Sequence, residues 1–324
     1  MRTLDQLILE TAPQADTVVI ADDPSGDLLA HTKAIRVVCI SSDFTQCERA
    51  LQAGVEVAGD RRLDQWLTGD GSCVVIGQMP KSLARLDYVA RAVAGAGFDE
   101  ATLVFGGNNK HLARSMNDVL EQSFEQVSAS RGKGKFRCLV AARAKEVAYT
   151  PVESHGITAI GGVFSGAKED LGGRFLGEVV VDKQEALGRV LDLGCGNGSV
   201  SKRILQAYPA TEVVATDADA DAVLSARGTL SPWGVAVTWD DAGAQLAGDF
   251  DTVLLNPPFH DGTTVDATLV EHLLDASHRL LKPGGQVFLV HNSHLRYRES
   301  VEKRFSQVRQ AARNNKFTVL YAVK

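Results

Sequence analysis

The sequence predicts an α/β fold of two tandem, doubly wound domains from a duplication, the first a degenerate copy of the second. Three observations predict it. Short apolar runs alternate with amphipathic stretches long enough for helices, the pattern of βαβ units around a mostly parallel sheet. The same order of elements occurs twice along the chain. A length of 324 residues gives room for two domains of ordinary size.

The second half shows the plan most clearly. Strands are predicted at Arg189–Asp192, Glu212–Thr216, Ala236–Trp239, Thr252–Leu255, Gln286–Val290 and Phe317–Val323. Helices are predicted at Ser199–Tyr208, Ala218–Leu230, Asp266–Leu281 and Arg298–Ala312, with Lys282-Pro-Gly-Gly285 as a turn that ends the third.

In the first half, Val37–Ile40 and Glu48–Gly54 stand to each other as Val213–Thr216 and Ala222–Gly228 do, and Val74–Ile76 takes the place of Val253–Leu255. Phe124-Glu-Gln-Val127 and Phe136 recur as Phe305-Ser-Gln-Val308 and Phe317, both offset by 181 residues (305 − 124; 317 − 136). The domains are therefore placed at 1–147 and 148–324, joined by Thr150–Gly156.

Composition narrows the class. A hydrophobic content of 44%, 30 glycines and 9 prolines fit a globular α/β protein. No window approaches the roughly 18 apolar residues of a membrane span. Met1–Gln6 lacks the apolar core of a secretory signal. Cys39, Cys47, Cys73, Cys138 and Cys195 are scattered without ligand spacing. Neither a disulfide framework nor a metal site is expected, and a cytoplasmic location is.

The net charge of −6 disfavours indiscriminate nucleic-acid binding. Yet residues 131–145 carry Arg131, Lys133, Lys135, Arg137, Arg143 and Lys145 with no acidic residue, and 296–316 carry seven cations against Glu299 and Glu302. Such stripes suit phosphates or a solvated face equally.

Asp192-Leu-Gly-Cys-Gly-Asn-Gly198 lies between a strand and a helix, and Asp217 closes the next strand, 19 residues past Gly198. Glycines there allow a tight turn and close approach of a ligand, and the acidic residue can accept from ribose hydroxyls. A dinucleotide is the obvious competitor, but Ser199 replaces its third glycine. Asp192 sits ahead of the first glycine, poorly placed for a pyrophosphate and well placed for a cation, as in the sulfonium and ammonium of S-adenosylmethionine. Asp240-Asp241, after the following strand, is positioned to reach an adenine amino group, with Asp241 the expected contact.

Asn256-Pro-Pro-Phe259 follows an apolar strand, and two prolines stop the ladder and hold the chain extended. The turn presents an amide, carbonyls and a ring together, a set suited to a planar substrate carrying an amino group. The corresponding stretches of the first half, Val19-Ile-Ala-Asp-Asp-Pro-Ser-Gly26 and Gly77-Gln-Met-Pro80, have lost both patterns, which suggests a scaffold or substrate platform.

On these motifs the second half resembles the class I S-adenosylmethionine-dependent methyltransferases, with Val190–Gly198 as the first motif and Asn256–Phe259 as the catalytic one. Gly162-Val-Phe-Ser165, Asn256-Pro-Pro-Phe-His-Asp-Gly262 and a duplicate domain in front are similar to the RsmC/RlmG type of ribosomal-RNA guanine-N2 methyltransferases, whose domains are Rossmann-like. Asp170 and Gly172 match that type, while Glu169 and Arg174 depart from it, leaving the RNA target open.

The resemblance implies methyl transfer to an exocyclic amino group of ribosomal RNA. It implies Asn256, Pro257 and Phe259 as catalytic residues. It places the cofactor on Phe164, Asp170, Gly172, Asp192, Gly194, Cys195, Gly196, Asn197, Asp217, Ala218, Asp241 and Asn256. Pro258, His260, His294, Arg296 and Arg298 are the expected substrate contacts, with His291 in reach of the same edge. The same chemistry also serves enzymes acting on protein glutamine amides or on adenine N6 of DNA. A non-catalytic RNA-binding assembly protein is the alternative of another class.

Overall fold

The computed structural model describes residues 1–183, 187–257 and 264–324. The chain divides into two compact units, Met1–Pro151 with Ile160–Gly162, and Val152–Ala159 with Val163–Lys324. The first carries β1 (Thr17–Asp22), β2 (Arg36–Cys39), β3 (Glu56–Val57), β4 (Ser72–Gln78), β5 (Glu100–Asn108), β6 (Phe124–Ala129) and β7 (Phe136–Ala144). The second begins with a hairpin of β8 (Val152–Ser154) and β9 (Ile157–Ala159). Its main sheet is built from β10 (Val190–Leu193), β11 (Val213–Asp217), β12 (Ala236–Trp239), β13 (Phe250–Leu255), β14 (Leu281–Asn292), β15 (Ser306–Arg313) and β16 (Phe317–Val323).

The two large sheets share one topology. Their orders are β3-β2-β1-β4-β5-β7-β6 and β12-β11-β10-β13-β14-β16-β15. In each, five strands run parallel and a closing hairpin adds an antiparallel pair. Chance repetition of an α/β rhythm does not produce two seven-stranded sheets with the same crossings, so the structure supports the duplication.

Both faces of the second sheet are covered, which is why its strands read as continuous apolar runs. Leu254 and Val290 pack with Leu176, Ile204 and Val223 on one face. Val253, Leu255 and Leu289 pack with Val270, Leu274 and Phe305 on the other. Alternate residues of one strand thus feed opposite cores.

Two local expectations are corrected. The predicted helix 298–312 is a short helix, Arg298–Glu302, followed by strand β15. Ser306–Arg313 has helix-compatible composition, but antiparallel pairing with β16 overrides that weak propensity. The Lys282–Gly285 turn is the irregular start of β14, bonded to the chain's end through Gly284 N–H to Lys324 O (3.1 Å) and Lys324 N–H to Gly285 O (2.9 Å).

Candidate active site

Strand order in the second sheet reverses between β10 and β13, and open α/β sheets take ligands beyond the carboxyl ends of strands at such a switch. A cavity of about 350 Å³ opens there.

The glycine turn after β10 forms its floor. Gly194, Gly196 and Gly198 have φ of +78°, +53° and +78°, the left-handed region that favours glycine. A side chain at Gly194 or Gly196 would project into open space, whereas one at Gly198 would press on Leu230 Cγ at 3.1 Å and Ala226 Cα at 3.2 Å. The first two therefore leave the cavity free, and the third lets helix Ser199–Ala207 pack on helix Ala220–Leu230.

Asn197 is 4% exposed and lines the cavity, but its amide is fully engaged. Nδ2 donates to Gly166 O and Lys168 O (both 2.8 Å), and Oδ1 accepts from Ser199 N–H (3.2 Å). It staples the 166–168 loop to the turn. Cys195 also lines the cavity, as a neutral thiol whose pKa burial pushes well up.

Two carboxylates, Asp192 buried and Asp217 half-buried, face this floor. Asp192 accepts from Ser201 Oγ (2.6 Å) and N–H (3.2 Å), and Asp217 accepts from Gly196 N–H and Asp219 N–H (both 2.9 Å). Burial pushes Asp192 up to about 6, against the opposing Ser201 bonds. Burial, reinforced by Asp219, pushes Asp217 up to about 6 as well. Neither carboxylate has a cationic side chain beside it among the described hydrogen-bond and ion-pair partners. The pair is thus suited to a ligand that carries positive charge or hydroxyl donors.

Ala218 and Asp241 also line the cavity. Asp241 lies 3.2 Å from His272 Nε2, and both are about half exposed. Its neighbour Asp240 is 1% exposed, accepts from Gln245 N–H at Oδ2 (2.7 Å), and leaves Oδ1 buried without a partner. The sequence pointed to the pair; burial singles out Asp240 as the one with an unmet acceptor facing this wall. Phe164 stands at the rim, 61% exposed.

Asn256, at the end of β13, carries the most informative geometry. Its Nδ2 donates to Asp170 Oδ2 at 3.1 Å. A carboxylate only accepts, so the amide's NH₂ end must face Asp170 and its oxygen must face the other way. That Oδ1 is buried and has no partner. Asp170 is fixed in turn at the start of helix Leu171–Lys183, where Oδ2 also accepts from Gly173 N–H (2.9 Å). A side chain at Gly173 would stand 3.2 Å from Asn256 Nδ2, so glycine there admits the amide. Gly172 lies buried within the same helix and is not on the cavity wall. Pro257 is buried on the wall, next to Asn256. Pro258, Phe259 and His260 fall outside the described residues.

The expected substrate contacts after β14 separate into two groups. His294 and Arg296 are exposed. Arg298 is engaged, pairing with Glu302 (2.7 Å) and donating to Val308 O (3.0 Å), which ties its helix to β15. His291 does not suit a phosphate: it is 5% exposed, donates from Nδ1 to Asn292 O (2.9 Å), and burial lowers its pKa, keeping it neutral. Among the described residues no cluster of His, Cys, Asp or Glu could hold a metal ion, and no helix is long and apolar enough to cross a membrane.

Comparison with known proteins follows the same division of the chain. Residues 155–321 match the methyltransferase small domain, and residues 3–146 match the RLMG N-terminal domain. The ribosomal RNA large subunit methyltransferase G of Streptomyces coelicolor is 31% identical over 99% of this chain and 92% of its own length. The Alcanivorax borkumensis protein of the same name is 32% identical over 76% of this chain and 66% of its own length. Among solved structures, the T. thermophilus 16S rRNA N2 G1207 methyltransferase RsmC, in complex with AdoMet and guanosine, covers 100% of this chain and 92% of that one. Its TM-score is 0.79 at 20% identity, a likeness of fold. The chain belongs to the methyltransferase small-domain family, in the branch that carries an RLMG-type N-terminal domain.

Proposed function

We propose that the second unit transfers a methyl group from S-adenosylmethionine to the exocyclic N2 amino group of a guanine in ribosomal RNA. The observation that carries this reading is the buried, unpartnered Asn256 Oδ1, aimed by the Asp170 carboxylate at the end of β13. A buried acceptor left unmade costs about 1–3 kcal/mol, and an amino N–H of the substrate would satisfy it.

The wall residues fit the donor. Asp192 and Asp217 meet its cationic and hydroxyl groups, Gly194 and Gly196 leave it room, and the orphan Asp240 Oδ1 and neighbouring Asp241 suit an adenine amino group. S-adenosylmethionine supplies an electrophilic methyl group when bound. Guanine N2 is a weak nucleophile because its lone pair is delocalised into the ring. Asn256 Oδ1 and the Pro257 carbonyl accept its two N–H bonds, favouring a pyramidal nitrogen with its lone pair aimed for displacement. Phe259 stacks on the base, a contact worth about 1–3 kcal/mol, and the methylated nitrogen loses its proton to water. A paired target has to be flipped out or already unpaired.

Protein glutamine amides and DNA adenines share the amino chemistry; the names of the relatives favour RNA, and the match to the RLMG N-terminal domain favours the large subunit. The first domain, about residues 1–147, serves as a scaffold and RNA platform. The test is nucleoside mass analysis of deproteinised large- and small-subunit rRNA after incubation with the protein and S-adenosylmethionine. N2-methylguanosine at one nucleotide is the expected product; none in either rRNA, with methyl label instead on protein or DNA offered in parallel reactions, would overturn the assignment.

A further inference from the structure

The first unit carries a cationic corner that the proposed chemistry does not use. Of the six cations in residues 131–145, three are engaged locally. Lys133 pairs with Glu10 (3.0 Å), Arg143 pairs with Glu125 (2.8 Å), and Lys145 donates to Glu121 O. Arg131, Lys135 and Arg137 are exposed and have no ion-pair partner among the described residues. Lys135 Nζ stands 5.4 Å from the centre of the Phe136 ring, which supports its stem without neutralising its charge.

The fold adds a fourth cation that the linear stretch does not contain. The tip of the β6–β7 hairpin lies against the end of β5: Asn108 pairs in register with Phe136, Gly107 with Arg137, and Asn109 N–H donates to Lys135 O (2.9 Å). Lys110, the second residue after β5, is exposed and equally without an ion-pair partner. Residues 129–137 hold no acidic residue, and Glu10 is already taken by Lys133. In a chain of net charge −6, a corner of four unneutralised cations is a local reversal of sign.

We infer that Lys110, Arg131, Lys135 and Arg137 form a docking surface for the phosphate backbone of single-stranded or looped RNA. The inference deepens the proposed function and rests on it for the identity of the RNA. The strand register gathers these cations at one end of β5, β6 and β7, an arrangement that can hold a phosphate chain without reading bases.

Fluorescein-labelled poly(U), which has no guanine, isolates this surface from the methylation site. With the full chain, K110E/R137E is expected to bind poly(U) about fivefold to tenfold more weakly. The slope of log affinity against log salt should become shallower by about 1.4, at about 0.7 per lost contact. K33E/K183E makes the same charge change with exposed lysines elsewhere and should leave the slope intact. Melting temperature and S-adenosylmethionine affinity check that both variants fold. Equal effects of the two pairs, an unchanged slope, or binding of wild type to anionic vesicles but not to poly(U) would overturn the inference. Salt-dependent poly(U) binding at this corner with no rRNA methylation would instead overturn the proposed function and leave the surface standing.

Discussion

One position in the fold holds about 350 Å³ of open space in the second unit and about 10 Å³ in the first. The backbone devices around it are the same. A glycine at φ +78° caps the helix after β10, and one at +77° caps the helix after β1 (Gly198, Gly26). An aspartate caps the next helix in both units, Asp219 accepting from Asp221 N–H and Asp43 from Gln46 N–H (both 2.8 Å).

What differs is the third residue of that helix, Ala222 in one and Gln46 in the other. Gln46 Oε1 accepts from Asp23 N–H (2.8 Å), and Arg49 Nη1, a turn further on, donates to Asp23 O (3.2 Å). The first unit thus satisfies its own loop with side chains where the second leaves room. Counting from the capping residues, Asp192 corresponds to Ile20 and Asp217 to Ser41. Ser41 Oγ still accepts from Asp43 N–H (3.2 Å), as Asp217 does from Asp219, so the turn survives without the charge. By strand register Gln78, not Gly77, takes the place of Asn256, and it donates to Asp5 (3.3 Å) as Asn256 does to Asp170 (3.1 Å). The lesson is that caps and turns specify the fold, while empty space and unneutralised carboxylates specify the site.

The largest predicted effect breaks the comparison at the amide. Asn256→Ala should reduce rRNA methylation by about 10²–10³-fold, as removal of one positioned polar group does in other enzymes. S-adenosylmethionine affinity should stay within about twofold, because the lost oxygen faces the substrate. Single-turnover assays beside a binding titration separate the two; turnover like wild type would refute the role given to Oδ1.

Asp192→Asn tests the charge. It should weaken S-adenosylmethionine binding at least about tenfold while raising the melting temperature of the ligand-free protein at pH 8. Relief of a buried carboxylate held about two pKa units high is worth roughly 1–3 kcal/mol. A variant that melts lower and binds as tightly would show that the carboxylate is merely structural.

Both aspartates are raised to about 6, above the usual carboxylate range, so the folded protein holds protons that the unfolded chain has released. Their contribution to stability therefore falls as pH rises from about 4 to about 6 and is level above. Donor affinity should move oppositely, rising through about pH 6 as the carboxylates charge. Calorimetric titrations at pH 5 and 8 give the comparison, and equal affinities at the two would contradict it.

The smallest effect lies in the first unit. Gln46→Ala should cost about 1–2 kcal/mol by leaving Asp23 N–H unpaired, and it should create no donor site, since Ile20 and Ser41 supply no carboxylate. Denaturant unfolding measures the first part and a donor titration the second.

Much of the site was legible because its parts are local. The glycines, Asp192, Asp217 and Asn256 each sit where a strand ends, and strand ends are visible in the apolar runs. The orientation of Asn256 was not, because it depends on Asp170, 86 residues away in sequence. Nor was the unmet Oδ1 of Asp240, which turns on which of two adjacent side chains the backbone buries. Ala222 could have been found by setting Phe44–Gln52 against Ala220–Leu230, since the internal repeat places a bulky polar residue opposite a small one. Strand β15 was not legible either: its counterpart β6 starts at Phe124, in a stretch no better marked as a strand, and composition favoured a helix at 298–312.

The most direct test of the central claim is calorimetric titration of S-adenosylmethionine into the full chain and into Ala222→Gln, which places the first unit's residue in the second unit's cavity. The account predicts one binding site per wild-type chain, and loss of binding in the variant without loss of fold. Two sites per chain, or a variant that binds like wild type, would contradict it.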